Sequence, residues 1–111
     1  MDRLAMLVLG FVAACSDVET RVCNATPYDF VWLEWDRESE RAPLTSGVCT
    51  DYVDSPNAVP YTSVRLAIGD DVFQYQVIDY YGEPLESGRW SYLIEIGTYD
   101  ARALSVRAVE D

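Results

Sequence analysis

Carboxylates are the most abundant groups in this sequence that could do chemistry. Nineteen Asp and Glu stand against eight Arg, with no Lys and no His, giving a formal net charge of −11. The missing imidazole removes the Ser-His-Asp and Cys-His arrangements that activate a nucleophile, and with them the commonest general base and metal ligand. The glycines stand apart from one another, so no glycine-rich phosphate cradle is present. Carboxylates such as Asp79 and Glu83 remain. To act as a hydrolase they would have to converge in one pocket with perturbed acidity. A domain this small seldom builds such a cleft, so a non-enzymatic protein is expected and a carboxylate-dependent hydrolase is the remotest alternative.

Calcium is the more physical use for acids. Asp51, Asp54 and Asn57, or Asp70 and Asp71, could supply oxygen, but neither spacing matches a calcium loop. Asp and Asn in turns more often hydrogen-bond the local backbone. No metal and no cofactor is expected. The acidic balance also argues against a nucleic-acid partner, since neutralising phosphates needs a basic face, and against a polybasic hold on anionic lipid.

Aromatic side chains are the other candidates. Three Trp, eight Tyr and three Phe are many for 111 residues. Exposed Trp and Tyr can stack on sugar rings or anchor a protein partner. Trp32, Tyr80, Tyr81 and Tyr99 lie in or beside connections, where binding residues collect, and are the candidate contacts with a ligand or partner. Trp35 and Trp90 are expected in the core, because aromatic residues favour strands and fill small interiors.

The elements that position these residues begin after an apolar leader. Met1-Asp2-Arg3 is followed by eleven apolar or small residues from Leu4 to Ala14, too short to span a bilayer but suited to a signal peptide. The run ends in Val12-Ala13-Ala14-Cys15. This resembles the lipobox of bacterial lipoproteins, in which small residues precede a Cys that is acylated and becomes the first residue of the mature chain. Asp2 departs from the usual positive start. The resemblance implies a signal peptide over 1–14, lipidation at Cys15, a tether over 15–18 and a domain over 19–111. Ser16 after the Cys is similar to the pattern that directs such proteins to the outer membrane of double-membraned bacteria. Two or three acyl chains hold a protein stably where one does not. An ordinary signal peptide cut nearby is the alternative.

Three cysteines are present. With Cys15 lipidated, Cys23 and Cys49 are the remaining intramolecular pair, and export would carry them to a compartment where disulfides persist. A disulfide is expected there, with two buried thiols as the alternative.

After residue 20, alternation and β-formers dominate, and no helical period is sustained. Seven strands are predicted, over 19–24, 28–35, 48–53, 61–68, 72–78, 90–97 and 103–109, with a charged loop from Asp36 to Pro43. In the second, Phe30, Trp32 and Glu34 share one face and Val31, Leu33 and Trp35 the other. Short strands between frequent turns argue for a seven-stranded antiparallel β-sandwich, immunoglobulin-like or transthyretin-like, with a partly open barrel as second choice. The segment Arg21 to Phe30 is similar to the opening of small uncharacterised all-β domains in bacterial envelope proteins, which implies no catalytic role. Together these readings predict a lipid-anchored envelope protein that acts as an interaction or structural module. A protein partner in the envelope is expected, and a glycan is the alternative ligand.

Overall fold

The computed structural model describes residues 17–35, 40–77, 83–97 and 103–111. The expected signal peptide, Cys15, Asp79, Tyr80, Tyr81 and Tyr99 lie outside the described residues.

The described chain is all-β, with eight strands in two four-stranded sheets. They are β1 (Val18–Asn24), β2 (Phe30–Glu34), β3 (Ala42–Leu44), β4 (Val53–Asp54), β5 (Val64–Ile68), β6 (Asp71–Tyr75), β7 (Gly88–Ile96) and β8 (Leu104–Glu110). One sheet runs β4-β1-β7-β8 and the other β3-β2-β5-β6. The strand that the sequence does not predict is β3, which begins within the expected charged loop and runs one residue past it. Pro43 is tolerated there because β3 lies at the edge of its sheet, where a missing N–H leaves no ladder bond unmade. The predicted strand at 48–53 shrinks to a bridge at Cys49 and the two residues of β4.

The expectation of antiparallel pairing throughout is corrected by β1. It pairs antiparallel with β4 but parallel with β7, in register from Val18 opposite Gly88 to Asn24 opposite Ile94. A parallel neighbour needs a long crossover, and here the whole second sheet lies between the two strands in sequence.

Between the sheets lies one core built from Val22, Phe30, Leu33, Leu66, Ile94 and Val106 with their neighbours. Burying an apolar side chain of this size contributes about 1.5–3 kcal/mol. Alternation sets the inward faces of β5, β7 and β8, through Val64 and Leu66, Tyr92 and Ile94, and Val106. In β2 it fails. The register against β3 shifts between Phe30 and Leu33, so both residues are buried, Val31 is exposed and Trp32 sits half-buried on the outer face. A bulge of this kind inserts one residue and re-aims the side chains beyond it.

Two devices fasten the end of the molecule where β1 finishes. Cys23 and Cys49 face each other in an antiparallel bridge and are joined by a disulfide. Beside it, Asn24 is fully buried. Its Nδ2 donates to the carbonyls of Tyr28 at 2.8 Å and Leu44 at 2.9 Å, and its Oδ1 accepts from the Thr26 N–H at 3.0 Å and the Thr26 hydroxyl at 2.7 Å. A buried amide is stable only when its donors and acceptors are matched in this way.

Candidate functional site

At the opposite end of the sandwich, where β1 starts and β2 finishes, the connection from Ser55 to Ser63 folds over the gap between the sheets. Backbone bonds hold it down: Ser55 N–H donates to the Val18 carbonyl at 2.9 Å, and Leu85 N–H to the Ala58 carbonyl at 2.7 Å. Asn57 takes a left-handed conformation at φ 64°, which Asn accepts more readily than most residues. Together these leave a cleft of about 370 Å³ beneath the connection.

Aromatic rings form its floor and rim. Trp35 and Tyr92 meet with ring centroids 6.3 Å apart and planes tilted by 56°, and Tyr61 stands at the mouth, 42% exposed. Tyr92 is buried, and its hydroxyl donates to the Val59 carbonyl at 2.6 Å. Burial pushes its acidity down, raising the pKa to about 12, so it stays protonated at neutral pH and is no base. Around the rings lie hydroxyls. Thr20 and Ser55 hydrogen-bond each other at 2.7 Å, and Thr62 donates to the Trp35 carbonyl at 3.3 Å. Ser63 accepts from the Val77 N–H at 2.9 Å. Among the described residues, no Asp, Glu or Arg lines the cleft. Its chemistry is that of stacking and neutral hydrogen bonding.

Trp32, the described member of the expected aromatic contacts, is not a bare platform. The Arg41 guanidinium lies 4.0 Å from its ring centroid and that of Arg65 5.8 Å away, while Glu34 pairs with both arginines at 3.1 and 3.5 Å. The other sheet repeats the motif. Arg21 and Arg89 stack on Tyr52 at 4.6 and 4.8 Å, and Arg89 pairs with Glu19 at 2.9 Å. The Tyr52 hydroxyl donates to the Asp111 carboxylate, and that bond raises the Tyr52 pKa.

The remaining sequence candidates do not converge. Asp51, Asp54 and Asn57 are exposed, as are Asp70 and Asp71 at the β5-β6 turn, and no group of three or more potential metal ligands forms among the described residues. Glu83 is exposed. Sequence reasoning missed the cleft because Trp35 reads as core. It is indeed packed against the core, but it also lines the opening. The signal was present in the stretch 55–63, where Ser, Thr, Asn and Pro surround Tyr61. A second hollow, about 330 Å³, is lined among the described residues by Asp71 to Gln74 of the edge strand β6.

Among the described residues, no helix is long and apolar enough to cross a membrane. No family model matches the chain, and no curated protein matches it either.

Proposed function

We propose that the chain is a non-enzymatic, lipid-anchored cell-envelope protein. On this reading the segment 1–14 is removed on export, Cys15 is acylated, and the domain is held at the outer membrane, where it serves as an interaction or structural module. The observation that carries the proposal is the Cys23–Cys49 disulfide. It uses the two cysteines that lipidation leaves over, and disulfides persist in the oxidising compartments that export reaches. The folded domain also begins at once: β1 starts at Val18, three residues beyond Cys15, so the sandwich would sit close against the acyl chains.

The finer topology belongs to the same proposal. In an immunoglobulin constant-type sandwich the first two strands pair in one sheet. Here β1 and β2 belong to different sheets, which favours the transthyretin-like arrangement. Partner contact is assigned to sheet edges and end connections, where unpaired backbone and adaptable side chains are available.

Intact-mass analysis of the native protein tests the anchor. The expected result is a mature chain beginning at an acylated Cys15, with Cys15→Ser released from the membrane fraction while keeping its disulfide. An unacylated N-terminus would overturn it. Crosslinking on intact membranes followed by capture is expected to recover an envelope component, and failure to recover one counts against the interaction role.

A further inference from the structure

We infer that the cleft under the 55–63 connection is a binding site for an uncharged sugar, with Tyr61 and Trp35 stacking on the ring and the neighbouring hydroxyls reading its rim. The inference concerns the folded domain alone and stands apart from the acylation of Cys15.

Charge comes first. The chain carries a net −11, with 24% of its residues charged, yet among the described residues none that line the cleft is Asp, Glu or Arg. An anionic or cationic ligand would meet no counter-charge among the described lining residues and would lose hydration there without compensation. An uncharged ligand meets no such penalty.

Shape and group type come next. A sugar ring presents C–H groups on its faces and hydroxyls around its edge, and it fits a site that offers aromatic faces together with neutral donors and acceptors. Trp35 and Tyr61 supply the rings over the buried Tyr92, and Ser55 and Thr62 supply hydroxyls, each of which keeps an acceptor lone pair beyond the bonds it makes inside the protein. The volume of about 370 Å³ lies at the lower end of the range for ligand pockets, about 300–1,000 Å³.

The lining is also held in place before any ligand arrives. Thr20 is 1% exposed and bonded to Ser55, and the Tyr92 hydroxyl is tied to Val59. Preorganised groups spend less of the binding energy on ordering. By contrast, Trp32 is covered by Arg41, which excludes a sugar from that ring while the arginine stays in place.

The test uses the full chain as isolated from its native host, acylated or not, in a detergent without a sugar headgroup. Maltotetraose, cellotetraose and chitotetraose are titrated against tryptophan fluorescence and followed by saturation-transfer NMR, with trigalacturonate as the anionic comparison. At least one neutral oligosaccharide is expected to saturate in the millimolar range or tighter. Affinity should fall about five- to tenfold in Tyr61→Ala and in Thr62→Val, and stay unchanged in Val72→Ala on the distant edge strand. Tyr61 is 42% exposed, so its truncation leaves the core intact. The inference is overturned if none of the three neutral sugars binds at millimolar concentration. It fails equally if binding survives unchanged in Tyr61→Ala, or if only trigalacturonate binds. The acyl mass at Cys15 is read independently, so failure here leaves the anchor proposal untouched.

Discussion

Tyr92 shows what a single side chain does in this core. Its ring belongs to the buried cluster and its hydroxyl closes a bond to the Val59 carbonyl, so losing the proton would leave a charge that burial disfavours. The folded pKa is raised to about 12 against an ordinary value of 10.0, and the folded state therefore binds this proton more tightly than the unfolded chain. The stability this contributes is complete below pH 10 and is lost as pH rises from 10 towards 12. Urea unfolding followed across that window should show a progressive fall from this residue, on the order of 1 kcal/mol once solvent screening of its hydroxyl is allowed for. Tyr92→Phe should cost about 1 kcal/mol at neutral pH and flatten the alkaline fall. The inward position of Tyr92 was legible from the alternation of β7. The bond to Val59 was not, because it depends on how a connection more than thirty positions away in sequence folds back. Trp32 was legible by half: its place on an outer face follows from the bulge, and the arginine over it follows from a strand that the sequence hid.

At the scale of elements, Asn24 matters more than its size suggests. One amide ties the end of β1 to the Thr26–Tyr28 turn and to the last carbonyl of β3, so three pieces of chain meet on it. Asn24→Ala would take a donor from the Tyr28 and Leu44 carbonyls and the acceptor from the Thr26 N–H and hydroxyl, leaving the Tyr28 carbonyl with only the Thr26 hydroxyl at 3.1 Å. The expected loss is about 2–4 kcal/mol, read as a lower denaturation midpoint with an unchanged slope. Asn24→Asp keeps the acceptor and discards the donors, and should recover little. Where large apolar side chains recur at every second position, as in β5, β7 and β8, the sequence pattern was sufficient to find the strands. In β2 the bulge breaks the period, so Phe30 and Leu33 point the same way against a two-residue rule. Strand β3 was invisible because it is only three residues long, holds Pro43 and exposes two of its three side chains. Pattern reasoning needs several turns of a period, and short edge strands do not provide them.

Across the whole molecule, the covalent link and the strand order share one task, which is holding β1 in the middle of its sheet. The disulfide closes a loop with a sequence separation of 26. In the chain-entropy view such a closure stabilises a fold by about 3–4 kcal/mol. That is a large share of the roughly 5–15 kcal/mol typical of a domain. The double variant Cys23→Ser with Cys49→Ser should therefore melt about 12 °C lower or more by calorimetry, and reducing agent should bring the parent protein to the same point. Fold class, the two-sheet arrangement and this pairing could be read before the structure, since alternation assigns faces and the resemblance of Val12 to Cys15 to a lipobox sets one of the three cysteines aside. Neighbour order could not, because a strand's pattern says which side faces inward and nothing about which strand lies beside it. The parallel pairing of β1 with β7 carries a consequence for how the chain is made. A polypeptide emerges N-terminus first, and Val18 must wait for Gly88, seventy positions later, before its sheet can close. Until then a strand rich in backbone donors and acceptors has open flanks, and contacts this distant in sequence make for slow folding. Escort of the emerging chain, or an early Cys23–Cys49 bridge that folds one flank over, would protect the nascent protein through that interval.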